Sequence, residues 1–204
     1  VYMVRDPRAG VASMLKTDFF PDDVVFNALS RRKHDRVARR LLNKHVADDH
    51  KITVRYEDLT ANPEQTLRKI CDCIGEAYEP AMLSYYTNSS RFMKPTASST
   101  FNAKATEPVT TERVSAWRDI LSPRDTALIE SICTAEFVRY GYLRKTSALT
   151  LEARLEKILK TAYWTLQSYR NRHVRHYTVK HPVFAGLRTR LSRLTDPKIR
   201  DVKG

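Results

Sequence analysis

At 204 residues, 42% of them hydrophobic, with five glycines and nine prolines, the chain can bury the core of one ordinary domain, which excludes fibrous and disordered classes. No apolar run is long enough to span a membrane, and no signal peptide is recognisable. The net charge of +13 is uneven: residues 1–143 hold 21 Lys/Arg against 19 Asp/Glu and residues 144–204 hold 15 against 4, so the basicity belongs to the tail.

The chain opens inside an apolar run, Val1 to Val4, with no initiator Met, and reads as the downstream part of a longer protein. That run predicts a buried strand. It stops at Arg5-Asp6-Pro7, a helix start in which Asp6 caps free N–H groups and Pro7 takes the first helical position. Arg5 then stands at the carboxyl end of a strand, where open α/β sheets bind ligands. Ser13, seven residues after Asp6, falls on roughly the same helix face as Asp6. An arginine and a hydroxyl converging at a strand-to-helix junction suit a phosphate.

The stretch Arg5-Asp-Pro-Arg-Ala-Gly-Val-Ala-Ser13 resembles the second cofactor motif of sulfotransferases that use 3′-phosphoadenosine-5′-phosphosulfate (PAPS), most like the carbohydrate and bacterial branches. The resemblance implies that Arg5 and Ser13 hold the 3′-phosphate of the cofactor.

After Phe19-Phe20-Pro21 a second helix is predicted from about Asp23 to Val46. Val37, Leu41 and Leu42 read as its inward stripe. Its arginines, from Arg31 to Arg40, read as a solvated face or as a rim that steers an anionic substrate. A second strand follows in Lys51–Tyr56. Asn62-Pro63 with Gln65 predicts a capping box and a helix with Leu67, Ile70, Cys71 and Ile74 on one face, ended by Gly75. This unit also resembles the sulfotransferases, where the tyrosine after the strand helps hold the adenosine. Tyr56 takes that role by resemblance; the alternative is a tyrosine packed on the sheet. Glu57 and Asp58 are assigned to loop and cap hydrogen bonding.

Tyr78–Met82 starts a short helix. Residues 87–110, rich in Ser, Thr, Asn and Pro, form the loosest stretch, which the resemblance makes a functional loop over cofactor and acceptor. Arg113 and Trp117 lie four apart, on one face of a predicted short helix, and Arg113 joins the expected cofactor-binding set. Ser122-Pro123 caps a helix with Leu128, Ile129, Ile132 and Cys133 inward and Gly141 at its end. Cys71 and Cys133 are expected as buried free thiols, and Cys71-Asp-Cys73 is too tight for a structural zinc pair, so no metal is expected.

From Thr150, the residues Leu151, Leu155, Ile158, Leu159, Ala162, Leu166 and Tyr169 predict an amphipathic helix whose apolar stripe packs on the core beneath a solvated basic face. The basic tail can instead lie on a membrane surface or grip an acidic polymer. His173 and His176 lack further ligands at clear spacing.

The resemblance covers residues 1–143, expected as the carboxyl-terminal part of a sulfotransferase core, with residues 144–204 a basic helical tail. It implies an α/β fold: part of a P-loop-like three-layer sandwich with a parallel sheet, helix-rich and lacking the first strands, with Val1–Val4 and Ile52–Arg55 as parallel neighbours. The implied activity is sulfuryl transfer from PAPS to a hydroxyl acceptor, a carbohydrate among the candidates. The phosphosulfate loop and catalytic base would lie upstream, so the catalytic residues are unknown and the isolated chain is expected to be inactive. Bacterial relatives work in the cytoplasm and animal carbohydrate enzymes in the Golgi lumen; the lack of a disulfide pattern favours the cytoplasm. The alternatives are a P-loop kinase-like nucleotide enzyme and a polyanion-binding module using the tail. No nucleic-acid partner is expected, because no nucleic-acid motif occurs in the core.

Overall fold

A computed structural model describes residues 1–17, 20–87, 108, 110–145 and 148–180, the last ten of these as backbone. The chain divides into two compact units, Val1–Lys157 and Ile158–Gly204. In the first, strand β1 (Tyr2–Val4) pairs in parallel with β2 (Thr53–Arg55), Val4 opposite Arg55. Both predicted strands are present as neighbours, joined by helices α1 (Pro7–Leu15) and α2 (Val24–His45); the opening run is not a buried strand, however, since only Val4 is buried while Val1 and Met3 are more than half exposed. After β2 come α3 (Tyr56–Ala61), α4 (Pro63–Ile74), a 3₁₀ turn at Pro80–Ser84, α5 (Glu112–Ser115), a second 3₁₀ turn at Ala116–Asp119, α6 (Pro123–Ile132), α7 (Thr134–Tyr140) and α8 (Leu151–Lys180). A helix-rich α/β architecture with a small parallel sheet results. Residues 88–107, most of the expected functional loop, and the tail beyond residue 180 lie outside the described residues.

The core forms where α1, α2 and α6 meet, with Ala9, Val11, Ala12, Val25, Ala28, Leu128 and Ile129 buried against Trp117 and Phe137. Each large apolar side chain so buried contributes about 1.5–3 kcal/mol. Several local signals act as expected. Asp6 accepts from the Arg8 N–H at 2.8 Å to cap α1, and Asp23 does the same for α2 from Phe26. Gly75 and Gly141 end α4 and α7 with φ of 75° and 69°, a region where only glycine is unstrained. Cys71 and Cys133 are buried free thiols.

Other expectations are corrected. The Asn62 side chain makes no cap bond to α4, so the Asn62–Gln65 box does not form. Asn62 also ends α3, its N–H bound to the Asp58 carbonyl, and that bond sets its backbone. A capping box forms instead at α6, where Ser122 and Asp125 exchange bonds. The single helix expected from Ser122 to Gly141 breaks at Cys133 (φ −96°, ψ 22°) into α6 and α7. Ile74 is exposed, leaving Thr66 and Cys71 as the buried residues of α4.

The largest correction concerns α2. Val37 is 46% exposed and Leu41 53%, whereas Asp35 is buried. Part of the predicted solvated face therefore turns inward: Arg39 Nε donates to Asp35 at 3.0 Å, and Arg32 reaches the Ile132 carbonyl at 3.4 Å. Tyr2 donates to Asp35 at 3.0 Å, Tyr140 donates a shorter bond, and Arg139 stands at 3.6 Å. A buried carboxylate persists only when so supplied with donors. At the far end of this unit, α8 packs through Ala153 and Lys157, whose Nζ donates to the Ser131 carbonyl at 3.2 Å. Arg124 pairs with Glu152 and Glu156 and sets that rotation, so Leu151 and Leu155 face water rather than core. In the second unit Ile158, Leu159, Leu166 and Tyr169 are exposed too. Among the described residues no helix is long and apolar enough to cross a membrane.

Beneath the β1–α1 turn lies an ion-pair triad. Arg8 is 5% exposed and Glu130 2%. Arg8 makes a forked pair with Asp6, its Nη2 at 2.6 Å from Oδ2 and its Nε at 3.0 Å from Oδ1, while Nη1 reaches Glu130 at 2.8 Å. The guanidinium stands 4.3 Å from the Trp117 ring centre and 5.0 Å from that of Phe137.

Arg8→Ala leaves two buried carboxylates without their cation and is expected to cost about 3–5 kcal/mol, read as a lower urea midpoint at unchanged slope. A loss below about 1 kcal/mol would show the triad to be dispensable. Burial pushes the Asp35 carboxyl up, but the bonds from Tyr140, Arg39 and Tyr2 outweigh it and hold the pKa below its ordinary value. Its stabilisation is therefore complete above the unfolded value of about 3.9 and lost as pH falls through the folded value. Asp35→Asn should flatten that acid limb in urea titrations below about pH 4; an unchanged limb would assign it to other carboxylates.

Candidate functional site

The carboxyl ends of the two strands carry the candidate residues. Arg5 follows β1, and Tyr56, the first residue of α3, follows β2. Parallel pairing of Val4 with Arg55 sets them side by side. The Arg5 guanidinium stacks 4.5 Å from the Tyr56 ring centre. One Nη donates to the Arg113 carbonyl at 2.7 Å, which brings α5 to the strand ends. The Arg5 Nε is buried and without a hydrogen-bond partner. No carboxylate among the described residues lies within ion-pair distance of Arg5. Burial lowers its pKa; the Tyr56 and Glu57 charges oppose this, while Arg31 and Arg113 add to it.

Three of the four predicted site residues thus meet at one place: Arg5, Tyr56 and Arg113, the last bonding through its backbone with its side chain exposed. Arg113 and Trp117 do not share a helix face. α5 ends at Ser115, and the 3₁₀ turn that follows buries Trp117 against Arg8. Ser13 lies exposed on the second turn of α1, whereas Asp6 is tucked under the first. Tyr56 is half-buried, its ring taken up by Arg5.

Glu57 holds this arrangement. Its Oε1 accepts from the Asp6 N–H at 2.9 Å, and its Oε2 accepts from the Tyr142 hydroxyl at 2.7 Å, which ties the ends of both strands to Tyr142, two residues beyond α7. The expectation that Glu57 serves loop hydrogen bonding is met. Burial, then the Glu57 carboxylate, pushes the Tyr142 phenol up. Two residues that carry the site were missed in the sequence. Arg8 was not singled out at all. Arg31, read as solvated or steering, donates a short bond to the Arg5 carbonyl. No group of three or more His, Cys, Asp or Glu arranged to hold a metal occurs among the described residues, and the side chains of His173 and His176 lie outside them.

Parallel strands whose carboxyl ends carry an arginine with no described carboxylate in ion-pair reach make a candidate anion site on an α/β scaffold. Residues 1–80 match the model of the Sulfotransferase family. Over 102 residues the chain is 32% identical to carbohydrate sulfotransferase 2 of Mus musculus, and equally to that of Homo sapiens. The alignment covers 48% of this chain and 18% of each relative, so the chain spans less than a fifth of the curated proteins it matches. No solved structure matches the chain. The match to the Sulfotransferase family is confined to residues 1–80.

Glu57→Ala strands the Asp6 N–H and the Tyr142 hydroxyl. It is expected to cost about 1–3 kcal/mol in urea denaturation; full stability would mean that water replaces the carboxylate.

Proposed function

We propose that this chain serves a sulfotransferase, binding PAPS at the carboxyl ends of β1 and β2 for sulfuryl transfer to a hydroxyl acceptor of a carbohydrate. The observation that carries the reading is Arg5: a half-buried guanidinium with an unpartnered Nε, no carboxylate in ion-pair reach among the described residues and an aromatic ring against it. A 3′-phosphate supplies the missing anion and accepts charge-assisted bonds from Arg5. Ser13 donates a hydroxyl from the adjoining helix. Tyr56 gives the adenosine a ring edge, and Arg113 adds positive charge from α5. The bound donor supplies the activated sulfuryl group; the chain's own described residues grip and orient.

The family match over residues 1–80 supports the activity and the P-loop-like sandwich in which we place these strands, with residues 1–143 as core and 144–204 as a basic helical tail. The carbohydrate acceptor is supported by the relatives being carbohydrate sulfotransferases.

Calorimetric titration of adenosine-3′,5′-bisphosphate and of 5′-AMP into the full natural protein tests the reading. Arg5→Ala should weaken the bisphosphate by about 1.5–3 kcal/mol, roughly ten- to a hundred-fold. Ser13→Ala should weaken it by about 0.5–1.5 kcal/mol. Both should spare 5′-AMP. A wild-type protein with no preference for the bisphosphate, or variants that bind it normally, would sink the proposal.

A further inference from the structure

With Arg32 and Arg39, Arg31 is an arginine of α2 whose surroundings a solvent-face role does not explain. Its Nη2 donates to the Arg5 carbonyl. Its guanidinium lies so close on α1 at Gly10 that a Cβ there would come within 2.7 Å of Cζ and collide with Nη1. Gly10 and Ser13 are three apart on α1 and share a face. The guanidinium therefore spans from the Arg5 carbonyl to Gly10, about one helical turn before Ser13.

Arg8, Arg39, Arg55, Arg68, Arg124 and Arg139 each have a carboxylate within 4.0 Å. Arg31 has none among the described residues; the same holds for Arg5, Arg32 and several exposed arginines, but Arg31 is the one bonded to the Arg5 carbonyl. Glu136, which feels the Arg31 charge, makes no ion pair with it, and burial pushes its carboxyl up towards the neutral form. Two guanidiniums held together with no carboxylate in ion-pair reach repel each other: burial lowers the Arg5 pKa and the Arg31 charge adds to it, against the opposing Tyr56 and Glu57 charges. Such a like-charge arrangement is favourable once an anion joins it.

We propose that Arg31 is a second guanidinium of the phosphate site, positioning Arg5 through its carbonyl and adding positive charge beside the anion, and that position 10 is glycine to admit it. The inference rests on the phosphate reading above. The ligand chemistry is a nucleotide 3′-phosphate, and the probe is adenosine-3′,5′-bisphosphate against 5′-AMP on the full natural protein.

Arg31→Met should weaken the bisphosphate about tenfold or more while 5′-AMP stays within about twofold, with Arg31→Lys recovering part of the loss. Gly10→Ala keeps every charge and displaces only the guanidinium, so it should weaken the bisphosphate in the wild type. It should have no further effect in the Arg31→Met background, because it acts through that side chain. It also serves as the test should Arg31→Met fail to fold. Normal bisphosphate binding by Arg31→Met or by Gly10→Ala overturns the inference, as does equal weakening of both nucleotides, which would make Arg31 merely structural. A wild-type protein that does not distinguish the two nucleotides overturns the phosphate reading itself.

Discussion

The structure depends on neutralising one buried cation. Taking a guanidinium out of water is costly unless its donors are bonded and its charge is matched. Arg8 meets both conditions at the second residue of α1. Its Nε and Nη2 pair with Asp6, its Nη1 with Glu130, and Trp117 and Phe137 stand against it. Asp6 is at the same time the cap of α1, so one carboxylate fixes both the helix start and the cation beneath it. The β1–α1 turn is thereby clamped to α6, 122 residues further along the chain. Glu57, bonded to the Asp6 N–H, extends the clamp to the end of β2. Arg5 is held at the strand end between these fixed points.

Arginines of one chemistry therefore have different roles here, and their counter-ions separate them. Arg8 and Arg139 face carboxylates of other elements and hold those elements together, while Arg39 pairs within α2 with Asp35. Arg5 and Arg31 bond to main-chain carbonyls, which orient a guanidinium without neutralising it. A carboxylate at Arg5 would compete with an incoming phosphate; a carbonyl leaves the charge available. The same logic explains why Glu57, beside Arg5 in space, spends its two oxygens on an N–H and a hydroxyl.

The Asp35 cluster shows the converse on α2. Five residues from three elements, Tyr2, Asp35, Arg39, Arg139 and Tyr140, form a polar node at the amino end of β1. Burial, then the Asp35 charge, pushes the Tyr2 phenol up to about 12, so both tyrosines remain donors over the ordinary pH range. The node anchors the strand from below while the Arg8 triad anchors the turn above it.

The amino-acid sequence by itself determined what short-range chemistry decides. The run Val1–Val4, the cap at Asp6 with Pro7, the start of α2 at Asp23 and the glycine stops at Gly75 and Gly141 follow from groups within a few residues of one another. Arg5 and Tyr56 were legible as neighbours because two strands of known period end beside them. Only the tertiary structure decided which charged residues turn inward. The burial of Arg8 needs Glu130, that of Asp35 needs Tyr2 and Tyr140, and the α8 rotation that leaves its leucines in water needs Arg124. A helical period places residues on a face but does not say what the face meets; that depends on partners brought together from distant parts of the chain.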